Sequence, residues 1–248
     1  MQRLQSTEKS VIQTVVVPFA DLAIADRANR IASIVSQSKI EHVYLVLLGS
    51  TEPRRELADA DEIAGAMRLI RSLSDAGLRV LVGYAAADML LWRHAGAKDC
   101  ATGKFFNLRR FLRSRFEEPV SGGGQLPYWF EESLIAFLRE SDLIRVRRAG
   151  LTSDSSSRNP FCAEIISLHT SSPGAAWVAK GWRQYLWWFA DAERRITSGE
   201  IIVPELLKEA EQRWTAIEST ILMEEPRNDG SWLRAWRRAC IEFSSESA

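Results

Sequence analysis

The sequence predicts an α/β protein in which about four parallel strands with crossover helices are followed by a mainly helical region rich in tryptophan. Short β-branched runs alternate with amphipathic runs in the first part of the chain. The composition then changes at the glycine-rich stretch "EEPVSGGGQLP" (117–127). The predicted organisation is an α/β domain over 1–116, a Gly/Ser-rich connector with one helix over 117–160, and a helical region over 161–248.

The first strand, the first helix and the second strand follow directly from residue type and spacing. Residues 11–19 are β-branched and predict a strand. Residues 21–38 have apolar side chains at helical spacing, and Asp21 stands where a helix N-cap belongs. Residues 42–49 are almost continuously apolar, which is typical of a parallel strand covered on both faces.

Two more helix–strand units complete the predicted sheet. Residues 59–77 predict an amphipathic helix that begins with acidic residues and stops at Gly77. Residues 78–84 predict the third strand, 87–97 a short helix, and 98–102 the fourth strand. Parallel strands need crossover connections, which are right-handed, so the unit is either an open sheet or part of a (βα)-barrel.

The succession of a helix, the turn "AGA", a strand and "TG" resembles the last βα units of many (βα)8 barrels. The resemblance covers about residues 40–106. A closed barrel has eight units, and four are visible here. The resemblance therefore implies a half-barrel, a fragment of a longer barrel, or an open sheet of similar construction.

The second half of the chain is predicted to be mainly helical. Apolar residues at helical spacing predict a helix over 128–143, and 152–160 resembles a linker. Residues 161–170 predict one more strand. Three further helices are predicted over 174–199, 203–223 and 230–243. Seven of the nine tryptophans lie in these three segments, so we expect the first of them to be the core of its region, with a partner interface as the alternative.

Composition excludes several classes of protein. The net charge is zero, so a polyanion would have to be recognised by a local patch. Three cysteines without paired spacing indicate neither a disulfide framework nor a zinc site, and favour a reducing, cytoplasmic location. The polar N-terminus lacks the apolar core of a signal peptide, and no apolar run is long enough for a membrane span, so no membrane partner is expected. The three histidines lack metal-ligand spacing, and no metal site is predicted.

Candidate catalytic residues come from the carboxyl ends of the predicted strands, where parallel α/β folds place their sites. Asp21, Glu52 and Asp88 follow the first, second and third strands and could act as acid, base or metal ligand. A simpler interpretation competes with this role. Asp21 and Asp88 each precede a helix that they could cap, and Glu52 could be a solvated loop residue beside Arg54 and Arg55.

The segment "TGKFFNLRRFLRSR" (102–115) is the candidate binding region. Thr102 and Lys104 offer a hydroxyl and an ammonium for a phosphate, although the spacing of a P-loop is absent. Interleaved cations and aromatic rings can also grip a single nucleic-acid strand. If the segment is helical, however, its arginines simply face water. The candidate ligand-binding residues are Thr102, Lys104, Asn107, Arg109, Arg110 and Arg113.

Three functions remain open at this point. The first is a binding or accessory protein that recognises a phosphorylated small molecule or nucleic acid through the segment after the fourth strand. The second is a barrel-type hydrolase or transferase that acts on a phosphorylated or nucleotide substrate at the strand ends. The third is a subunit of a complex, with a protein partner or a second copy completing a barrel. No catalytic motif is present, so the binding role is preferred.

Overall fold

The computed structural model describes residues 11–24, 26–116, 126–152, 158–171, 177–218, 223 and 229–245. The chain forms two compact units. The first comprises Met1–Glu117 together with Arg238–Ala248, and the second comprises Glu118–Arg237. None of the helices within these described ranges is long and apolar enough to cross a lipid bilayer.

The first unit is built on a parallel sheet with the strand order β1-β2-β3-β4. The strands are β1 (Ile12–Pro18), β2 (His42–Gly49), β3 (Arg79–Gly83) and β4 (Asp99–Cys100). Four parallel strands with alternating helices, followed by a helical C-terminal region, confirm the predicted fold class. Because β1 and β4 lie at opposite ends of this order, the described sheet is open.

The connecting helices are α1 (Phe19–Leu22), α2 (Arg27–Ser36), α3 (Ala60–Asp75) and α4 (Met89–His94). Right-handed crossovers between sequential neighbours place all of them on the same face of the sheet. The register aligns Val43 with Val80 and Leu45 with Val82. All four of these side chains are buried, as expected for the face that the helices cover.

Helix α3 has clear start and stop signals in the sequence. The Asp59 side chain accepts a hydrogen bond from the Glu62 backbone N–H, and Gly77 takes a left-handed φ of +82° just after the helix ends. A Cβ atom on Gly65 would lie 1.9 Å from the Leu22 carbonyl oxygen. Glycine at this position therefore allows the backbones of α1 and α3 to approach each other closely.

The single helix predicted over 21–38 is in fact two. Helix α1 ends at Leu22, and Asp26 takes a left-handed φ of 62° just before α2 begins. The N-cap interpretation of Asp21 is wrong, because this residue lies inside the first turn of α1 and its carboxylate pairs with Arg27. The apolar periodicity is preserved across the break, which explains why the sequence hides it.

After β4 the chain returns to the carboxyl end of β2. Residues Phe106–Leu108 form a 3-10 turn, β5 (Phe111–Leu112) pairs in parallel with the end of β2, and Arg113–Phe116 form a second 3-10 turn. The pairing of β2 with β3 has already ended at Val46 and Gly83. Strand β5 therefore continues the ladder where β3 stops, and the helical interpretation of this segment is wrong.

The second unit begins with a hairpin of β6 (Trp129–Glu131) and β7 (Ala136–Leu138). Its helices are α5 (Glu140–Arg148), α6 (Pro160–Ser171), α7 (Val178–Thr197) and α8 (Val203–Glu218). The helix predicted over 128–143 and the strand predicted over 161–170 are therefore both wrong. Helix α9 (Trp232–Ser245) follows, and its residues from Arg238 onward group with the first unit.

Helix α7 packs against the hairpin through a polar and an aromatic contact. The Gln184 side chain accepts from the Phe130 N–H at 2.9 Å and donates to the Phe130 carbonyl at 2.7 Å. A single buried amide thus satisfies both backbone groups of that strand residue. The rings of Phe130 and Trp188 lie with centroids 4.0 Å apart, and Tyr185 is fully buried beside them. These buried aromatic side chains form the core of the second unit.

Two sequence predictions fall largely outside the described residues. The glycine-rich loop at 117–127 is described only at Leu126 and Pro127. The serine-rich linker at 152–160 is described only at Thr152 and from Arg158 onward.

We expect Trp188→Ala to lower the free energy of unfolding of the second unit by about 3–5 kcal/mol, because the substitution leaves a cavity beside Phe130. Leu186→Ala on the same helix is the matched control, since that side chain is 36% exposed whereas Trp188 is 4% exposed. Urea unfolding followed by fluorescence measures both variants. Equal decreases in stability for the two variants would contradict the assignment of Trp188 to the core.

Candidate functional site

Three loops converge at the carboxyl ends of the strands. They follow β2 (residues 50–59), β3 (84–88) and β4 (101–110). The first and third loops contact each other, since the guanidinium of Arg110 donates to the Arg55 backbone carbonyl oxygen at 3.4 Å. The pairing of β5 with β2 fixes the third loop over the end of β3.

The centre of this edge is a buried ion cluster consisting of Glu56, Asp88, Arg109 and Arg110. The Arg110 guanidinium lies between two carboxylates, paired with Asp88 through Nη1 and with Glu56 Oε2 through Nη2 at 3.2 Å. Asp88 also accepts a hydrogen bond from the Ala86 N–H at 2.8 Å. One arginine therefore joins the loops that follow β2, β3 and β4, with both carboxylates oriented by directed contacts.

Arg109 is the second guanidinium of the cluster and has no exposed surface. Its Nε donates to the Gly103 carbonyl oxygen at 3.3 Å, and its Cζ lies 5.0 Å from the centroid of the Phe106 ring. A Cβ atom on Gly103 would lie 2.0 Å from the Cβ of Leu108, so only glycine lets the loop fold back at this point. The "TG" turn therefore serves to bury Arg109.

Glu56 has a strongly perturbed acidity. Removal from water raises its pKa to about 7, and the negative charge of Asp88 adds to that rise. The positive charges of Arg110 and Arg109 act in the opposite direction, but desolvation dominates. The side chain is 12% exposed, and its Oε1 accepts no hydrogen bond from any described residue. Near neutral pH this carboxyl group is divided between its charged and uncharged forms.

Four exposed cations, here called the exposed cation layer, lie in the segments that carry this cluster: Arg54 and Arg55 after β2, Lys104 after β4, and Arg113 just after β5. The Cζ of Arg54 lies 6.0 Å from the Phe106 ring centroid, and the Nζ of Lys104 lies 5.3 Å from that of Phe105. Arg55 has Glu52 at 3.9 Å as an exposed partner. Positive charge therefore predominates on the surface of this edge, while charges balance beneath it.

Tyr84 takes a left-handed backbone conformation directly after β3, with a φ of 56°. This conformation is uncommon for a residue with a bulky side chain. The Tyr84 ring makes an edge contact with Phe111 at a centroid distance of 5.0 Å. The strained turn therefore directs the Tyr84 ring onto β5. The pairing of β5 with β2 in turn fixes the position of the segment after β4.

The structure separates the three predicted catalytic residues. Asp88 is buried in the ion cluster. It occupies the N-cap position of α4, but its side chain makes no capping hydrogen bond, so that interpretation is wrong. Asp21 pairs with Arg27, and Glu52 lies exposed beside Arg55 in the loop after β2. Each of the three carboxylates therefore has a different arginine as its neighbour.

The predicted ligand-binding residues divide into two layers. Arg109 and Arg110 are buried, so the interpretation that the arginines of this segment face water is wrong for these two. Lys104, Asn107 and Arg113 are exposed, and Thr102 is half-buried at the start of the turn.

Sequence reasoning does not single out Glu56, which ends the stretch "GSTEPRRE" (49–56) at the close of β2. Its spacing gives no signal, because it sits between exposed arginines and the cap of α3. The one available clue is that two adjacent arginines inside an aromatic segment need carboxylates if they are buried. Within the described ranges, no three His, Cys, Asp or Glu side chains come together in a group that could hold a metal ion.

Removing the central guanidinium should be costly. We expect Arg110→Ala to lower the free energy of unfolding by about 3–5 kcal/mol, because it leaves the Asp88 and Glu56 carboxylates without their shared cation. The exposed Arg113→Ala should change it by less than about 0.5 kcal/mol. Denaturant unfolding at neutral pH measures both, and similar values for the two variants would contradict the burial of Arg110.

The raised pKa of Glu56 gives stability a definite pH dependence. The folded state holds this proton more tightly than the unfolded state, so the stability it contributes is greatest below about pH 4.5 and falls as pH rises through about 7. We expect Glu56→Gln to be more stable than wild type at pH 8 by up to about 3 kcal/mol, with the difference shrinking towards pH 5. Glu52→Gln, which alters an exposed acid of the same loop, is the control. If the difference in free energy of unfolding between wild type and Glu56→Gln does not change with pH, the pKa of Glu56 is not raised.

Comparison of the chain with protein-family models, curated proteins and solved structures finds no match. The geometry of the carboxyl edge is therefore the basis for the functional argument.

Proposed function

We propose that this protein binds a phosphate-bearing ligand, either a single-stranded nucleic acid or a phosphorylated small molecule, at the carboxyl edge of its parallel sheet. The observation that carries the proposal is the position of two exposed cations beside aromatic rings, Arg54 near Phe106 and Lys104 near Phe105. Two acidic residues are exposed in the loops after β2 and β4, Glu52 and Asp59. Asp59 caps α3, so Glu52, which lies beside Arg55, is the one exposed carboxylate in these loops that opposes the cations. Phosphate oxygens would find cations there, and a base or sugar would find aromatic surface.

The two layers of charge support different tasks within this proposal. The buried ion cluster fixes the loops, since its guanidiniums are engaged with Asp88, Glu56 and the Gly103 carbonyl. Arg54, Lys104 and Arg113 form no ion pair with any described residue and keep their donors available to a ligand. An arginine can grip a phosphate with two parallel hydrogen bonds, whereas a lysine acts as a point charge.

The position of the layer also supports the proposal. Ligands of open parallel sheets bind outside the carboxyl ends of the strands, where the loops of neighbouring strands meet. The whole chain has no net charge, so it does not attract polyanions from a distance. A local cationic surface at the strand ends is therefore the feature of the described residues that supports anion recognition.

The test compares two double variants. Arg54→Ala with Arg113→Ala should weaken binding of a fluorescent oligo(dT) strand by about tenfold at low ionic strength, and should reduce the log–log slope of affinity against salt by about 0.7 for each phosphate that is no longer neutralised. Lys39→Ala with Lys98→Ala removes two exposed cations that precede β2 and β4, at the other edge of the sheet, and should change little. Fluorescence anisotropy against salt concentration measures both double variants.

Lys104→Ala separates the two kinds of ligand. If the ligand is a phosphorylated small molecule, we expect this variant to abolish binding of ribose 5-phosphate while oligo(dT) binding changes by less than about threefold, because one point charge contributes little to binding of a polymer. Calorimetric titration with ribose 5-phosphate measures the first effect. If the wild-type protein binds neither compound at low ionic strength, the proposed function is wrong.

A further inference from the structure

We propose that Glu56 is the proton acceptor of the carboxyl-edge site, so that binding of a phosphate-bearing anion and uptake of one proton at this carboxylate are a single coupled equilibrium. The inference rests on the proposed function and adds a chemical role to it. Glu56 lies directly beside the exposed cation layer, two residues after Arg54 and one after Arg55.

The geometry leaves one oxygen of Glu56 open to a proton. Oε2 accepts from Arg110 at 3.2 Å, while Oε1 accepts no hydrogen bond from any described residue. The side chain is 12% exposed, so Oε1 can exchange protons with solvent. Glu56 can therefore take up a proton without breaking the contact that anchors the loop.

The charges facing Glu56 determine the sign of the coupling. Asp88 faces it from the loop after β3, and Arg109 and Arg110 face it from the segment after β4. With Glu56 ionised, the two carboxylates balance the two guanidiniums. With Glu56 protonated, the buried ion cluster carries one net positive charge directly beneath the exposed cation layer.

The Phe106 ring connects the two layers. It has Arg54 on the exposed side, with its Cζ at 6.0 Å, and Arg109 of the buried cluster at 5.0 Å. An anion held by Arg54 therefore lies within one or two side-chain lengths of the cluster. At the effective dielectric of a protein surface, a unit charge at that range changes anion affinity by about tenfold.

The two histidines among the described residues of the first unit lie away from this edge. His42 begins β2 and His94 ends α4, which places both towards the amino-terminal side of the sheet. Burial lowers the pKa of His94, and the charge of Arg71 lowers it further. Any pH dependence caused by these histidines would persist in a variant that changes Glu56 alone, so the contribution of Glu56 can be isolated.

The experiment uses two probes whose charge does not change with pH across neutrality, inorganic sulfate and an oligo(dT) strand. We expect the wild-type protein to bind the probe about tenfold more tightly at pH 6 than at pH 8. Calorimetry at pH 7 in two buffers of different ionisation enthalpy should show uptake of up to about half a proton per bound anion, because about half of the Glu56 carboxyl groups are already protonated at that pH. If the affinity for sulfate depends on pH in this way, the site is a discrete phosphate pocket. If only the affinity for oligo(dT) does so, the site is a strand-binding surface.

Glu56→Gln should hold affinity at its low-pH level throughout and abolish the buffer dependence, whereas the control Glu52→Gln should keep the wild-type pH dependence. The inference is wrong if Glu56→Gln keeps the wild-type pH dependence, or if the wild-type binding enthalpy is the same in both buffers. Either result would leave the proposed function intact. Failure of both probes to bind at any pH would instead overturn the proposed function and this inference together.

Discussion

The structure of the carboxyl edge depends on one guanidinium. Arg110 pairs with Asp88 after β3 and with Glu56 after β2, and its own segment follows β4, so a single side chain ties three loops together. These loops have no regular ladder of their own beyond the short pairing of β5. A buried cation needs its carboxylates, and buried carboxylates need their cation, so each loop stabilises the position of the others.

Burial of this cluster has an electrostatic cost, and this cost accounts for the raised pKa of Glu56. Four ionisable groups share a volume with little water, and their mutual attraction does not fully replace the hydration they have given up. Asp88 is the more deeply buried of the two carboxylates, and it has the Ala86 N–H as an additional donor. Glu56 has only one directed contact among the described residues, and for this reason it is the member that the site can protonate without rearranging.

Much of the first unit could be predicted from the sequence, because a short continuous apolar run such as 42–49 favours a buried parallel strand. The break between α1 and α2 could not, since apolar spacing continues across Asp26. The segment 161–170 is helical rather than a strand, and Pro160 at the first position of α6 is a helix-start signal that the prediction does not use. The burial of Arg109 and Arg110 was beyond reach, because their partners lie far away along the chain.

The pairing of β5 with β2 joins Phe111 to Leu48, so the site is assembled by closing a long stretch of chain. A contact between residues this far apart in the sequence costs more loop-closure entropy than a local contact does. Local opening of the segment from β4 to β5 would break only this two-residue pairing within the sheet. Such an opening would hydrate Arg109, Arg110, Asp88 and Glu56 together, and it would remove the geometry on which the proposed ligand site depends.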